Sequence, residues 1–145
     1  MVLNGPNLDR LGKREPEVYG ATTLPEINKA LIARGKELGL RVTCRQSNHE
    51  GKLIDWIGAA DADGFSAIAI NPGALTHTSY ALHDAVKGAE IPTVEVHISN
   101  PESREAFRHK SCVAPACIGK VAGFGSHSYQ LALSALAHLL SAPVS

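Results

Sequence analysis

Residues 67–73 read Ala67-Ile68-Ala69-Ile70-Asn71-Pro72-Gly73. A short unbroken apolar run stopped by Asn-Pro-Gly suits a strand covered on both faces, and such strands belong to parallel sheets flanked by helices. An antiparallel sheet with one wet face would alternate apolar and polar residues instead. The neighbouring segments agree with the parallel reading. Upstream, Asn48 is a candidate N-cap for a helix carrying Leu53, Ile54 and Ile57; downstream, a helix is expected from about Thr78 to Lys87, closed by Gly88.

The same alternation extends to both ends of the chain. Met1-Val2-Leu3 reads as the tail of a first strand. Thr23 and Glu26 form a capping box for a helix in which Leu24, Ile27, Leu31 and Leu38 recur at helical spacing until Gly39. Arg41 to Gln46 alternates as a second strand, with Val42 and Cys44 on one face. Thr93 to Val96 makes a fourth strand ending at His97, Arg104 to Lys110 a short basic helix or turn, and Val113 to Ile118 an irregular stretch. Lys120 to Phe124 is the expected fifth strand, and an apolar helix runs from about His127 to Leu140.

Strict β-α alternation predicts right-handed crossovers with helices on both faces of one sheet. The expected fold is α/β, a single domain over residues 1–145. Its architecture is a flavodoxin-like three-layer sandwich with a five-stranded parallel sheet in the order 2-1-3-4-5. Ligands bind such sheets beyond the carboxyl ends of the strands, at the switch point between strands 1 and 3. Asn4, Asn7, Asn71 and His97 all fall at those ends.

Composition narrows the partners. Basic and acidic residues number 14 each, so the chain is formally neutral, and no run of like charges offers a track for nucleic acid or an anionic membrane. A small-molecule partner is expected. No leader or membrane-length apolar span is present, which makes a cytoplasmic location the expectation. Cys44, Cys112 and Cys117 lack the C-x-x-C spacing of a zinc or redox site and read as reduced thiols. Seven histidines without an H-E-x-x-H pairing give no expectation of a metal. Gly123-Phe124-Gly125 resembles the start of a dinucleotide fingerprint but lacks its third glycine and later acidic residue, which makes it a weak signal.

Candidate chemistry lies in three places. The long Gly/Pro-punctuated segment Asn4 to Gly20, NGPNLDRLGKREPEVYG, carries Arg14 and Tyr19, and loops of this length are usually functional. Tyrosine, with an ordinary pKa of about 10, is a poor base at neutral pH unless a guanidinium stabilises the phenolate. The blander reading has Tyr19 packed on the surface and Arg14 paired with Glu15 or Glu17. On strand 4, Glu95 and His97 point to one face while Val94 and Val96 fill the other. A carboxylate beside an imidazole fixes its tautomer and raises its basicity; the alternative is a satisfied histidine with an unrelated glutamate. His77 and Asp84, seven residues apart, would share a helical face suited to polyol hydroxyls, with Thr76 and Thr78 as N-capping residues. Arg104 and Arg108 are one turn apart, and either one of them meets a ligand or both form a solvated basic face.

Taken together, the segments NGPNLDRLGKREPEVYG, QSNHEG, INPGALTHTS, EVHISN, REAFRHKS and GFGSHSYQLAL resemble the type II 3-dehydroquinate dehydratases over nearly the whole chain. The resemblance implies a cofactor-free anti elimination of water from 3-dehydroquinate to 3-dehydroshikimate, in aromatic amino acid biosynthesis by the shikimate pathway or in quinate catabolism. It implies Tyr19 as the base at C2, with Arg14 lowering its pKa and holding a lid shut. His97 would be the acid at the departing C1 hydroxyl, oriented by Glu95, and Asn7 would hold a water against the enolate oxygen. Asn71 with the main chain of Ile98 and Ser99 would take the carboxylate, and His77, Asp84 and Arg108 the ring hydroxyls. The implied assembly is a dodecamer built from trimers. Family members usually begin several residues earlier, so a short first strand is expected, and His83 and Lys110 stand where arginine and histidine are common. Two other classes remain open at this point: a non-catalytic small-anion-binding module, which needs Asn71 and Ser99 but not Tyr19 or His97, and a nucleotide or flavin carrier resting on Gly123 and Gly125.

Overall fold

A computed structural model describes residues 1–13 and 15–141 of the chain. Its elements run β1 (Val2–Asn4), α1 (Pro16–Tyr19), α2 (Leu24–Glu37), β2 (Cys44–Gln46), α3 (Glu50–Ala59), β3 (Ile68–Asn71), α4 (Tyr80–Ala89), β4 (Thr93–His97), β5 (Gly119–Ala122) and α5 (His127–Ser141). All strand pairs are parallel and the order is β2-β1-β3-β4-β5, as the alternation predicted. Alternate strand residues feed two separate cores. Val2, Ala69, Val94 and Val96 pack with Leu24, Ile27 and Leu31 of α2 and Ala132, Leu133 and Leu136 of α5. Leu3, Ile68 and Ile70 face the other way, onto Leu53 and Ile57 of α3 and Leu82 and Val86 of α4. Burial of two apolar faces by one sheet is why residues 67–70 carry no polar side chain.

Several boundaries differ from expectation for local reasons. The second strand begins at Cys44 rather than Arg41, with Cys44 the register partner of Val2, the first residue of β1. Pairing of β5 ends at Ala122, opposite His97 at the end of β4, and Gly123 then turns the chain with φ 97°. Asn48 does not cap α3; His49 takes the cap position without a side-chain bond. The helix expected from Thr78 starts at Tyr80, capped by Ser79, whose hydroxyl accepts the Leu82 N–H; a 3-10 turn over Gly73–His77 precedes it. The irregular stretch contains one 3-10 turn, Ala114–Ala116.

Two close approaches set the crevice at the switch point. A Cβ on Gly5 would lie 2.4 Å from the Pro72 carbonyl oxygen, and one on Gly73 would lie 2.9 Å from the Pro6 carbonyl oxygen. The turns after β1 and β3 therefore rest backbone against backbone. Beyond them, Leu8 and Leu11 are buried in the α2/α5 core. Gly12, at φ 88°, approaches Ala21 so closely that a Cβ would come within 2.9 Å of its carbonyl oxygen. No helix among the described residues is long and apolar enough to cross a membrane.

Candidate active site

The crevice holds a cavity lined by Asn7, Tyr19, Asn71, His77, His97, Ile98, Ser99, Arg104 and Arg108, with Leu8, Leu11 and Pro101 as apolar wall. The polar and main-chain members of this lining were candidates from the sequence, and the sheet order brings their separate segments to one end. Glu95 stands behind the cavity and Asp84 stands outside it.

β4 delivers the Glu95–His97 pair through its period of two. His97 Nε2 donates to Glu95 Oε2 at 2.8 Å, and Thr76 Oγ1 lies 3.4 Å from the same nitrogen. Glu95 is fully buried, and its other oxygen accepts from Ser111 Oγ at 2.8 Å; Lys120 Nζ is 3.9 Å from Oε2. Burial alone would raise the Glu95 pKa, but the His97 hydrogen bond and charge, the Ser111 bond and Lys120 outweigh it, and the net direction is down. Glu95 is thus a carboxylate, an acceptor only, which places the Nε2 proton of His97 toward it.

Tyr19 ends the single turn α1. Its hydroxyl accepts a hydrogen bond from Arg104 Nη1 at 2.8 Å, and the Arg104 guanidinium carbon sits 5.1 Å from the ring centroid. Arg104 also reaches Ser99 Oγ at 3.3 Å and Glu15 Oε2 at 3.6 Å. Both Arg104 and Arg108 line the cavity. They do not share a helical face, since Arg104 follows the 3-10 turn Pro101–Ser103 and Arg108 ends a separate one, Ala106–Arg108. Arg108 donates from Nε to Glu105 Oε2 at 2.8 Å. Arg14 falls outside the described residues.

Asn7 adopts the left-handed conformation, φ 70°, one of the few residue types that does so readily. Its N–H donates to Asn48 Oδ1 at 2.9 Å, and Gln46 Nε2 donates to the same oxygen at 3.1 Å. The supposed helix cap is therefore a brace for the loop. Asn71 ends β3 with its Oδ1 accepting the Gly73 N–H at 3.1 Å.

His77 lines the cavity from the 3-10 turn, its Nδ1 held by the Lys110 carbonyl at 2.8 Å. The expectation that His77 and Asp84 share a helical face does not hold. His77 precedes α4, and Asp84 lies on that helix, away from this cavity. Sequence reasoning also passed over Thr76, read as a cap but buried against His97, and Ser111, which nothing in the local pattern marks.

The chain matches the family model described as dehydroquinase class II over residues 1–137. It is 54% identical over 140 residues to the 3-dehydroquinate dehydratase of Deinococcus radiodurans, covering 97% of this chain and 98% of that one. A corresponding enzyme of Thermus thermophilus is 57% identical over 140 residues, 97% and 94% of the two chains. Among solved structures, the type II dehydroquinase from Propionibacterium acnes superposes with a TM-score of 0.90 at 48% identity, covering 94% of this chain and 93% of that one. Sheet order, cavity position and these matches agree: the chain belongs to the class II dehydroquinase family.

Proposed function

We propose that this chain catalyses the anti elimination of water from 3-dehydroquinate to give 3-dehydroshikimate, without a cofactor. Tyr19, as phenolate, removes a C2 proton, and the electron pair passes to the C3 carbonyl oxygen as an enolate. Asn7 holds a water against that oxygen, a preorganised hydrogen bond whose value grows as charge develops. The enolate then re-forms the carbonyl, the C1–C2 double bond forms, and the C1 hydroxyl leaves as water with a proton from His97. Arg104 places a cation on the Tyr19 oxygen, and Arg14 joins it in the reading carried by the resemblance. Glu95 orients His97. Asn71 and the main chain at Ile98 and Ser99 take the carboxylate, while His77 and Arg108 meet ring hydroxyls.

The observation that carries this reading is the meeting of Tyr19 and His97 in one cavity, each with a charged residue hydrogen-bonded to it, Arg104 on the one and Glu95 on the other. A module that only binds anions has no use for that arrangement. The substrate reading extends to assembly and location: a cytoplasmic dodecamer built from trimers, in which Asp84 would reach a ring hydroxyl only across a subunit boundary. The test is absorbance of the conjugated product when 3-dehydroquinate meets the pure protein in excess chelator. Absence of product, or a requirement for added metal, overturns the proposal.

A further inference from the structure

Asn4 and Asn71 are register partners at the carboxyl ends of β1 and β3, and both are buried. Beneath them, Tyr129 reaches up from the first turn of α5 with only 1% of its surface exposed. Its hydroxyl accepts from Asn71 Nδ2 at 2.9 Å and donates to Asn4 Oδ1 at 2.5 Å. The direction of this chain of bonds is dictated by one group that has no choice. The Gly73 N–H can only donate, and it donates to Asn71 Oδ1. The Asn71 amide nitrogen must then face Tyr129, whose own proton must go on to Asn4. Burial raises the Tyr129 pKa well above the usual phenol range, with the Asn71 bond pulling the other way, so the hydroxyl keeps its proton throughout the working pH range.

This orientation has a cost and a product. Asn4 Nδ2 is left buried with no partner among the described residues, and an unsatisfied buried donor costs roughly 1–3 kcal/mol. An apolar trio at these positions would avoid that cost, so stability does not explain the relay. What it delivers is the second hydrogen of Asn71 Nδ2. The first goes to Tyr129, Oδ1 is taken by Gly73, and the side chain lines the cavity. These two bonds hold the amide in one orientation, in which the remaining Nδ2 hydrogen is the donor available to a ligand.

We propose that Tyr129 is a positioning residue that acts through Asn71, locking its amide so that the cavity presents an N–H to the substrate carboxylate. This rests on the elimination of water from 3-dehydroquinate proposed above. A carboxylate contact made equally in the ground and transition states changes KM and leaves kcat alone.

The experiment combines Tyr129→Phe and Asn71→Ala, singly and together, in steady-state kinetics with 3-dehydroquinate at a temperature well below each variant's melting point. Tyr129→Phe keeps the ring and removes only the hydroxyl. The expected result is a KM raised about tenfold, equivalent to about 1.4 kcal/mol, with kcat within about threefold, and no further rise when the same change is made on Asn71→Ala. A KM unchanged by Tyr129→Phe, or an equal rise in both backgrounds, overturns the proposal. The nitrogen-15-labelled side-chain amide of Asn71 gives a readout that needs no turnover. The hydrogen that faces Tyr129 is expected to exchange slowly with solvent in the unaltered protein and faster in Tyr129→Phe; equal exchange rates in the two overturn the locking. Failure of the unaltered protein to turn over 3-dehydroquinate would sink the catalytic reading, and the amide signals would still decide the locking. Should Tyr129→Phe fail to fold, Asn4→Ala removes the relay's acceptor and is read in the same way.

Discussion

Arg104 donates to the Tyr19 hydroxyl at 2.8 Å while lying against the face of its ring, so one guanidinium holds both the oxygen and the ring of the group read as the base. Tyr19→Phe is expected to lower kcat by about 10²–10⁴, the usual share of a general base, with KM nearly unchanged. Arg104→Ala should lower kcat about 10²-fold with the fold intact by circular dichroism. Full activity in either variant would remove that residue from the mechanism.

Glu95→Gln places an amide where His97 Nε2 meets a carboxylate oxygen. The amide nitrogen can satisfy itself only by donating to Nε2, which forces the wrong tautomer, and kcat should fall on the order of 10²–10⁴. Steady-state kinetics at neutral pH checks this; a change in KM alone would contradict it.

The same carboxyl links stability to acid. Its folded pKa lies below the ordinary value of 4.5, so between those two values the unfolded chain binds more protons than the folded one. The stability that Glu95 contributes is fully present above pH 4.5 and is lost as pH falls through the folded value. Denaturant unfolding followed from about pH 6 downward should show this slope flattened in Glu95→Gln.

Asn48→Ala removes the oxygen that accepts the Asn7 N–H. It is expected to cost about 1 kcal/mol in chemical denaturation and to lower kcat several-fold, although Asn48 itself is exposed and does not line the cavity. A silent variant would mean that Asn7 is held by its backbone conformation alone.

Gly5→Ala drives a methyl into the Pro72 carbonyl. Overpacking of this kind costs roughly 1–3 kcal/mol, and here it also parts the two turns that form the crevice. Both the denaturation midpoint and kcat/KM should fall.

The fold was legible because residues 67–70 and the repeated β-α alternation leave few other solutions, and sheet order then forced Asn4, Asn71 and His97 to one end. The Glu95–His97 pair was legible because strand periodicity is local and strict. The shared face of His77 and Asp84 failed because such an argument needs one continuous helix, and the 3-10 turn over Gly73–His77 breaks it. Arg104, Thr76 and Asn48 were passed over or given other roles because their partners, Tyr19, His97 and Asn7, lie far away in sequence. No local pattern encodes such pairings, which exist only once the sheet has closed the distance.

The contact of Gly12 with Ala21 gives the segment between them a closed neck. Its ends meet whatever lies between, so residues other than Arg14, Glu15 and Tyr19 can be exchanged there, or the loop lengthened at modest entropic cost, without moving Leu8, Leu11 or the strands. Changes in this segment thus bear on Tyr19 and its contacts, while His97, Asn71 and the core keep their places.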